Sequence, residues 1–299
     1  MTALHPSTVR LIYSPPAEGE IRRGPAVGMA GLVHYLEKFG LPEWLSIAAS
    51  ACDTAIPWYW NAGQARAAAR DATAGRPFII GPNMLWVNRV RPNATRHERT
   101  IARAPTCRLI FCHTPEYADC IRRGLGQHNA AEICPVPYPV WPEPPDLGTL
   151  PFFPLLIYYK SGPYDDLVTA LRDRWPRAVV LRYGTHSRNT LLTLARQSRA
   201  AVYLSADDHG PLALAEILLS GCPVIGHRST APWIEPDQTG LYIDDLADAA
   251  AVVSAVEDLH EWDLNPIRDR ARELFDPRLI VETVLAALDR ARRHEPGRD

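Results

Sequence analysis

Lysine is all but missing from these 299 residues: Lys38 and Lys160 are the only two among 32 basic side chains, and the rest are arginine. Cysteine is scarce and scattered. The six, at 52, 107, 112, 120, 134 and 222, form no CxxC pair and have no histidine at zinc-ligand spacing, so neither a disulfide framework nor a structural metal is signalled and buried or free thiols are expected. No apolar run approaches the ~20 residues that a membrane-spanning helix needs. Met1 to Pro16 lacks the charged-then-apolar build of a secretion signal. The chain therefore reads as soluble and cytoplasmic. With 46% hydrophobic and 22% charged residues, it is not a disordered tail, a collagen-like fibre or a disulfide-stapled miniprotein.

Proline, by contrast, is plentiful and concentrated. From Pro135 to Pro154 prolines recur so densely that neither a helix nor a central strand continues through them, because each removes a backbone donor and fixes φ. A domain boundary near 150 follows, and the length agrees, at roughly 100–200 residues per domain. On either side, short apolar runs alternate with segments of helical period, the signature of βαβ units and parallel sheets. Strands are expected near Val9–Tyr13, Ser46–Ala49, Phe78–Ile80 and Leu109–Cys112, then Leu155–Tyr159, Ala178–Arg182, Ala201–Leu204, Pro223–Ile225 and Gly240–Ile243. The expected organisation is α/β: two doubly wound domains, 1–150 and 151–275, each presenting the carboxyl ends of its strands to a cleft. A terminal helix over 276–299, with the apolar stripe Leu279, Ile280, Val284, Leu285 and Leu288, is expected to pack back on the first domain.

The most informative passage runs from Ala200 to Asp245. A strand ends at Leu204, a polar loop holds Asp207 and Asp208, and a helix starts near Pro211 with Glu216 on it. That spacing puts Asp208 at the helix N-terminus and Glu216 about two turns in, so both carboxylates can face one cleft. A helix N-terminus favours an anionic or hydroxyl-rich ligand. The bland alternative makes Asp208 an N-cap and Glu216 a solvated helix position. Against it stands the company of Glu216: Leu212, Ala213, Leu214, Ala215, Ile217 and Leu218. A carboxylate in so apolar a helix is costly without partners.

Taken in order, Asp208, Gly210, Glu216, Ser220-Gly221-Cys222-Pro223-Val224 and Thr239-Gly240-Leu241 resemble the retaining glycosyltransferases of GT-B fold, the glycogen synthase-like group. The match covers about 90 residues; the first half matches in outline only. The resemblance implies two Rossmann-like domains and sugar transfer from a nucleotide-diphosphate sugar, without metal or other cofactor, to an acceptor it does not identify. Glu216 would bind the ribose. Asp208, where most relatives carry the longer Glu, would contact the sugar and the charge at its anomeric carbon. Lys160, at the end of a strand, would face the leaving diphosphate. Relatives often have a second Lys about five residues on. Here Tyr164 and Asp165 stand instead, and Arg182 is the candidate substitute. Tyr183 and Gly184 would lie against the base, with further donor contacts at His209, Gly210 and Leu212. In the first half Gly28 matches a Gly-rich loop that follows the first strand and whose backbone, in relatives, approaches the diphosphate and the acceptor, which would make Gly28 a further donor-binding residue. A His usual in the family is replaced by Gly81-Pro82-Asn83, which makes Asn83 and His113 the acceptor-side candidates.

Six arginines (89, 91, 96, 99, 103 and 108) crowd one segment of the first half, near Trp58, Tyr59, Trp60 and Trp86. The run reads as a solvated arginine-rich surface or as a landing site for a polyanion, a phospholipid surface or a pyrophosphate-linked lipid, which leaves a small molecule, a glycan, a lipid-linked molecule or DNA open as acceptor, and the aromatics read as core or as stacking faces. Transfer to modified bases of DNA is therefore a second reading. A third, prompted by the shortened acid and the missing Lys and His, is a noncatalytic sugar-nucleotide-binding protein. A Rossmann dehydrogenase is disfavoured, since no G-x-G-x-x-G follows a strand with an acid about 20 residues later.

Overall fold

The computed structural model describes residues 8–15, 24–87, 93–126, 131–141 and 151–293. The chain divides into two compact units, Met1–Pro139 with Pro277–Asp299, and Val140–Asp276. The division thus falls within the proline-rich stretch, after Pro139 rather than near 150.

The first unit runs β1 (Thr8–Ile12), α1 (Gly24–Phe39), β2 (Leu45–Ala48), β3 (Ala55–Asn61), α2 (Ala65–Thr73), β4 (Phe78–Asn83), α3 (Arg96–Ala102), β5 (Cys107–Cys112), α4 (Pro115–Leu125) and β6 (Glu132–Pro135). Its strands form one parallel sheet in the order β2-β1-β3-β4-β5-β6. Because side chains alternate along a strand, Ile12, Tyr59, Phe78, Ile80, Ile110 and Cys112 share a core with Ala68, Ile101, Tyr117 and Ile121 of the helices.

The second unit runs β7 (Leu156–Tyr159), α5 (Asp165–Arg174), β8 (Val179–Arg182), α6 (Arg188–Arg196), β9 (Ala201–Leu204), α7 (Leu212–Leu219), β10 (Val224–Gly226), β11 (Gly240–Tyr242), α8 (Ala249–His260) and α9 (Asn265–Leu274). It too is a parallel sheet, in the order β11-β10-β9-β7-β8. The final helix, α10 (Pro277–Arg293), belongs to the first unit, where it packs on α1, β1 and β5 through Ile280, Val281, Val284 and Leu288.

Two strands escape the sequence pattern. β3 contains Pro57, which argues against a central strand; β4 begins to pair only at Trp58, so the missing donor falls short of that ladder. Two of its aromatics, Trp58 and Tyr59, build the core. Trp58 is fully buried, donates its indole N–H to Gly81 O at 2.7 Å and packs on Phe111. Tyr59 is buried and donates to the buried Asp71 at 2.6 Å. Trp60 is half-buried and Trp86 exposed. β6, the second omission, lies at the head of the proline-rich stretch and pairs with β5.

Three arginines of the run bond backbone carbonyls. Arg89 and Arg91 lie outside the described residues. α3 opens on a capping box between Thr95 and Glu98. Arg99 donates to Ala94 O at 2.5 Å, Arg103 to Leu125 O, and Arg108 to Ala291 O at 3.2 Å. Arg103 and Arg108 thus bond carbonyls at the ends of helices α4 and α10, while Arg96 is exposed. All six cysteines are free, four of them buried. Among the described residues no helix is long and apolar enough to cross a membrane.

The Ser-Gly-Cys-Pro-Val and Thr-Gly-Leu segments have a backbone explanation. Gly221, at φ 81°, sits just past the end of α7. Its N–H bonds Leu218 O at 2.9 Å while Cys222 N–H bonds Ile217 O at 3.3 Å, the paired bonds of a Schellman termination. At Gly240 an added Cβ would stand 1.9 Å from Val224 O, so β10 and β11 pair only because no side chain intervenes. Gly221→Ala is expected to cost about 1–2 kcal/mol, the left-handed penalty. Gly240→Ala should cost more, since the strands must separate; chemical-denaturation midpoints of the two variants should fall in that order.

Candidate functional site

In the second sheet, β8 is laid on one side of β7 and β9 on the other. This reversal makes the carboxyl ends of β7 and β9 the topological switch point, where open α/β sheets receive ligands. Lys160 follows β7 and Asp208 lies in the loop after β9. They meet there: Lys160 Nζ is 2.6 Å from Asp208 Oδ2, with the carboxylate nearly enclosed and the lysine one-fifth exposed. Asp208 is not the cap of α7, which has no side-chain cap and is preceded by Pro211. Its Oδ2 also accepts from Tyr203 Oη at 2.5 Å, and its Oδ1 from the His209 N–H at 3.0 Å. The neighbouring Asp207 faces elsewhere, accepting from Ser161 Oγ at 2.5 Å.

Glu216 is likewise no solvated helix position. It is buried on α7 and paired with Arg188 Nε, from the first turn of α6. Burial raises its carboxyl above the ordinary carboxylate value, with the Arg188 charge and hydrogen bond opposing. Tyr158, on β7, feels the charges of both Asp208 and Glu216, so the two acids border one region. Its ring stacks on Tyr203 at 5.2 Å and meets His186 edge-on at 5.6 Å. The Tyr183 ring, half-exposed, lies 5.7 Å from Lys160 Nζ. Beside it Gly184 takes φ 81° and an added Cβ would meet nothing within 4 Å. His209 is pushed down to about 4, chiefly by burial, with Lys160 adding to the effect and Asp208 opposing. At the mouth of α7 the Leu212 N–H is turned to Gly210 O at 2.8 Å.

Arg182 does not join this group. It pairs in the sheet with Tyr159, whose side chain belongs to the core beneath α5 and α8, whereas Lys160 is one residue on and faces the other way. Its guanidinium lies 4.4 Å from the Tyr159 ring and bonds Asp165 at 2.7 Å. The structure therefore gathers Lys160, Tyr183, Asp208, His209 and Glu216, and leaves Arg182 on the opposite face. Arg188, Tyr203 and Tyr158 are the members that sequence reading missed. The cost of a buried Glu216 announced a partner without naming it, and Arg188 stands just after the Ser187 helix cap.

In the first unit Gly28, Asn83 and His113 converge on Tyr138, a residue hidden in the proline-rich stretch. Asn83 Nδ2 donates to Tyr138 Oη at 2.6 Å, and Asn83 Oδ1 is 3.3 Å from His113 Nε2. The His113 and Tyr138 rings are 4.7 Å apart. The place a Cβ would take on Gly28 is filled by the Tyr138 ring, 2.1 Å away. Asn83 ends β4 and His113 follows β5, so this cluster too stands at carboxyl ends of parallel strands. A separate cavity of about 560 Å³ on the same unit is lined by Thr54, Tyr59, Gln64, Arg70, Asp71 and Arg76 among others, and holds none of the four.

No family model matches the sequence, and no curated protein matches it by sequence. Solved structures do match. A glycosyltransferase involved in avilamycin A biosynthesis, AviGT4, is 14% identical with a TM-score of 0.54, covering 96% of this chain and 98% of its own. Anabaena HepE, solved with UDP and glucose, is 10% identical with a TM-score of 0.63, covering 95% and 99%. The lipopolysaccharide outer core galactosyltransferase WaaB is 10% identical with a TM-score of 0.60, covering 94% and 99%. Two parallel α/β units, matched over nearly their whole length by such enzymes, give this chain the GT-B glycosyltransferase fold.

Proposed function

We propose that the chain is a retaining glycosyltransferase that takes its sugar from a nucleotide-diphosphate donor held on the second unit. The observation that carries this reading is the meeting of Lys160 with Asp208 at the switch point of that sheet, with the buried Glu216 bordering the same region. The fold is shared with the glycosyltransferase AviGT4 and the galactosyltransferase WaaB.

Cleaving the bond between the anomeric carbon and the phosphate oxygen leaves negative charge on the diphosphate. In this reading the Lys160 ammonium, rather than a metal ion, stabilises it in a site where hydrogen bonds to charge are strong. Asp208 supports the positive charge that develops at the anomeric carbon. Glu216, oriented by Arg188, accepts from the ribose hydroxyls, and the Tyr183 ring with the open space at Gly184 receives the base. His209 is too weak a base to take the acceptor proton, and Asp208 is engaged at the anomeric carbon. The departing phosphate oxygen takes that proton as the acceptor oxygen bonds the anomeric carbon on the same face, so configuration is retained. On the first unit, Asn83 and His113 are the acceptor-side candidates.

UDP-, GDP-, ADP- and TDP-sugars should be compared by thermal shift, UDP-glucose first because HepE was solved with UDP and glucose. One of them is expected to raise the melting temperature, since a ligand selective for the native state stabilises it. If none does, the donor-site assignment fails. Binding without any release of nucleotide would point instead to a noncatalytic binder. Glu216→Ala should weaken donor binding about tenfold or more, the worth of a hydrogen bond to a charged group.

The pH dependence has a definite sign. Ribose hydroxyls bond best to the ionised carboxylate, and the Glu216 carboxyl titrates above the usual 4.5. Donor affinity should therefore fall as pH drops through that raised value and level off above it. Calorimetry with an intact sugar donor, whose doubly esterified diphosphate does not titrate there, should show this limb in the wild type and its loss in Glu216→Gln.

A further inference from the structure

Asp208 Oδ2 accepts from two donors of different kind. Lys160 Nζ, 2.6 Å away, is on a side chain about one-fifth exposed. Tyr203 Oη, 2.5 Å away, is on a side chain with no exposure at all. Tyr203 lies within β9 and its ring is clamped flat against Tyr158, 5.2 Å between centroids and 12° between planes. An ammonium on a flexible four-carbon stem can change partners, whereas a phenol fixed in a strand and stacked on a neighbouring ring cannot.

We propose that Tyr203 is a positioning residue: it keeps Asp208 in its place when Lys160 turns from that carboxylate to the diphosphate of the donor. The inference rests on the donor-site reading given above and goes beyond it. In the unliganded chain the lysine neutralises Asp208. A donor diphosphate carries negative charge and competes for the same ammonium. Once Lys160 turns away, Oδ2 retains Tyr203, and Oδ1 retains the His209 N–H at 3.0 Å. Without the phenol the carboxylate would swing on a loop, held at one oxygen alone. Burial and the nearby Asp208 charge hold the Tyr203 hydroxyl well above its ordinary value, so it stays a donor throughout the working range. It also accounts for how a chain with Asp in place of the longer Glu can hold its acid steady, since Oδ2 is reached from within the sheet itself.

Tyr203→Phe keeps the ring and its stack and removes only the donor; circular dichroism should show an unchanged fold. Expected are sugar-donor affinity within about twofold of wild type and a kcat lowered about tenfold or more, as for loss of a hydrogen bond to a charged group. Melting temperatures of Tyr203→Phe, Asp208→Asn and the double variant should be non-additive, because the two side chains share one bond. A wild-type kcat in Tyr203→Phe, a loss of affinity equal to the loss of rate, or strictly additive melting temperatures would each overturn the inference. Were the wild type to bind no nucleotide sugar, the donor-site reading would fall and this inference with it. Binding and turnover by the wild type alongside an indifferent Tyr203→Phe would remove this inference alone.

Discussion

Two carboxylates buried in the second unit set the terms for everything around them. An ionised side chain removed from water is tolerated only with a counter-charge and bonded oxygens. Asp208 has Lys160, Tyr203 and the His209 N–H; Glu216 has Arg188. The partners come from three places: the end of β7, β9 with the loop after it, and the first turn of α6. The ion pairs therefore tie together the loops at the carboxyl end of the sheet, and those loops are where a ligand is received. An arrangement that is expensive in the folded chain, and is nonetheless kept, marks a candidate functional site.

The sheet itself makes the meeting possible. Laying β8 and β9 on opposite sides of β7 opens a crevice between the carboxyl ends of β7 and β9. Strand alternation then sorts the side chains: Lys160, Tyr158 and Tyr203 lie toward the acids, while Tyr159 and Arg182 are directed to the core side beneath α5. Lys160 directly follows Tyr159, and that single step along the chain decides which cation meets Asp208. The glycines at 221 and 240 serve the same geometry from below, ending α7 on time and letting β10 and β11 close on each other.

The first unit uses a parallel sheet to a different end. There the polar residues at the strand ends are neutral or titratable rather than paired ions: Asn83, His113 and Tyr138 bond or stack in series, and the Tyr138 ring seals the space above Gly28. A cluster of donors and acceptors without a paired ion suits hydroxyl groups, in keeping with an acceptor role proposed for that unit.

The α/β alternation, the helices of the second unit and the polar loop of Asp207 and Asp208 were legible in the sequence, because hydrophobic period and turn chemistry are local properties. β3 was hidden by Pro57 and β6 by its nearness to the proline-rich stretch, since whether a proline's missing donor matters depends on where the neighbouring strand begins to pair. The residue types at 160, 208 and 216 likewise announced a site, and the apolar company of Glu216 required a partner. Which partner it has, which of Lys160 and Arg182 reaches Asp208, and that Tyr203 and Tyr138 are built into the two clusters were decided only by the tertiary structure. Those facts depend on strand order, face and register, and they join residues up to 55 positions apart in the chain, where no local pattern reaches.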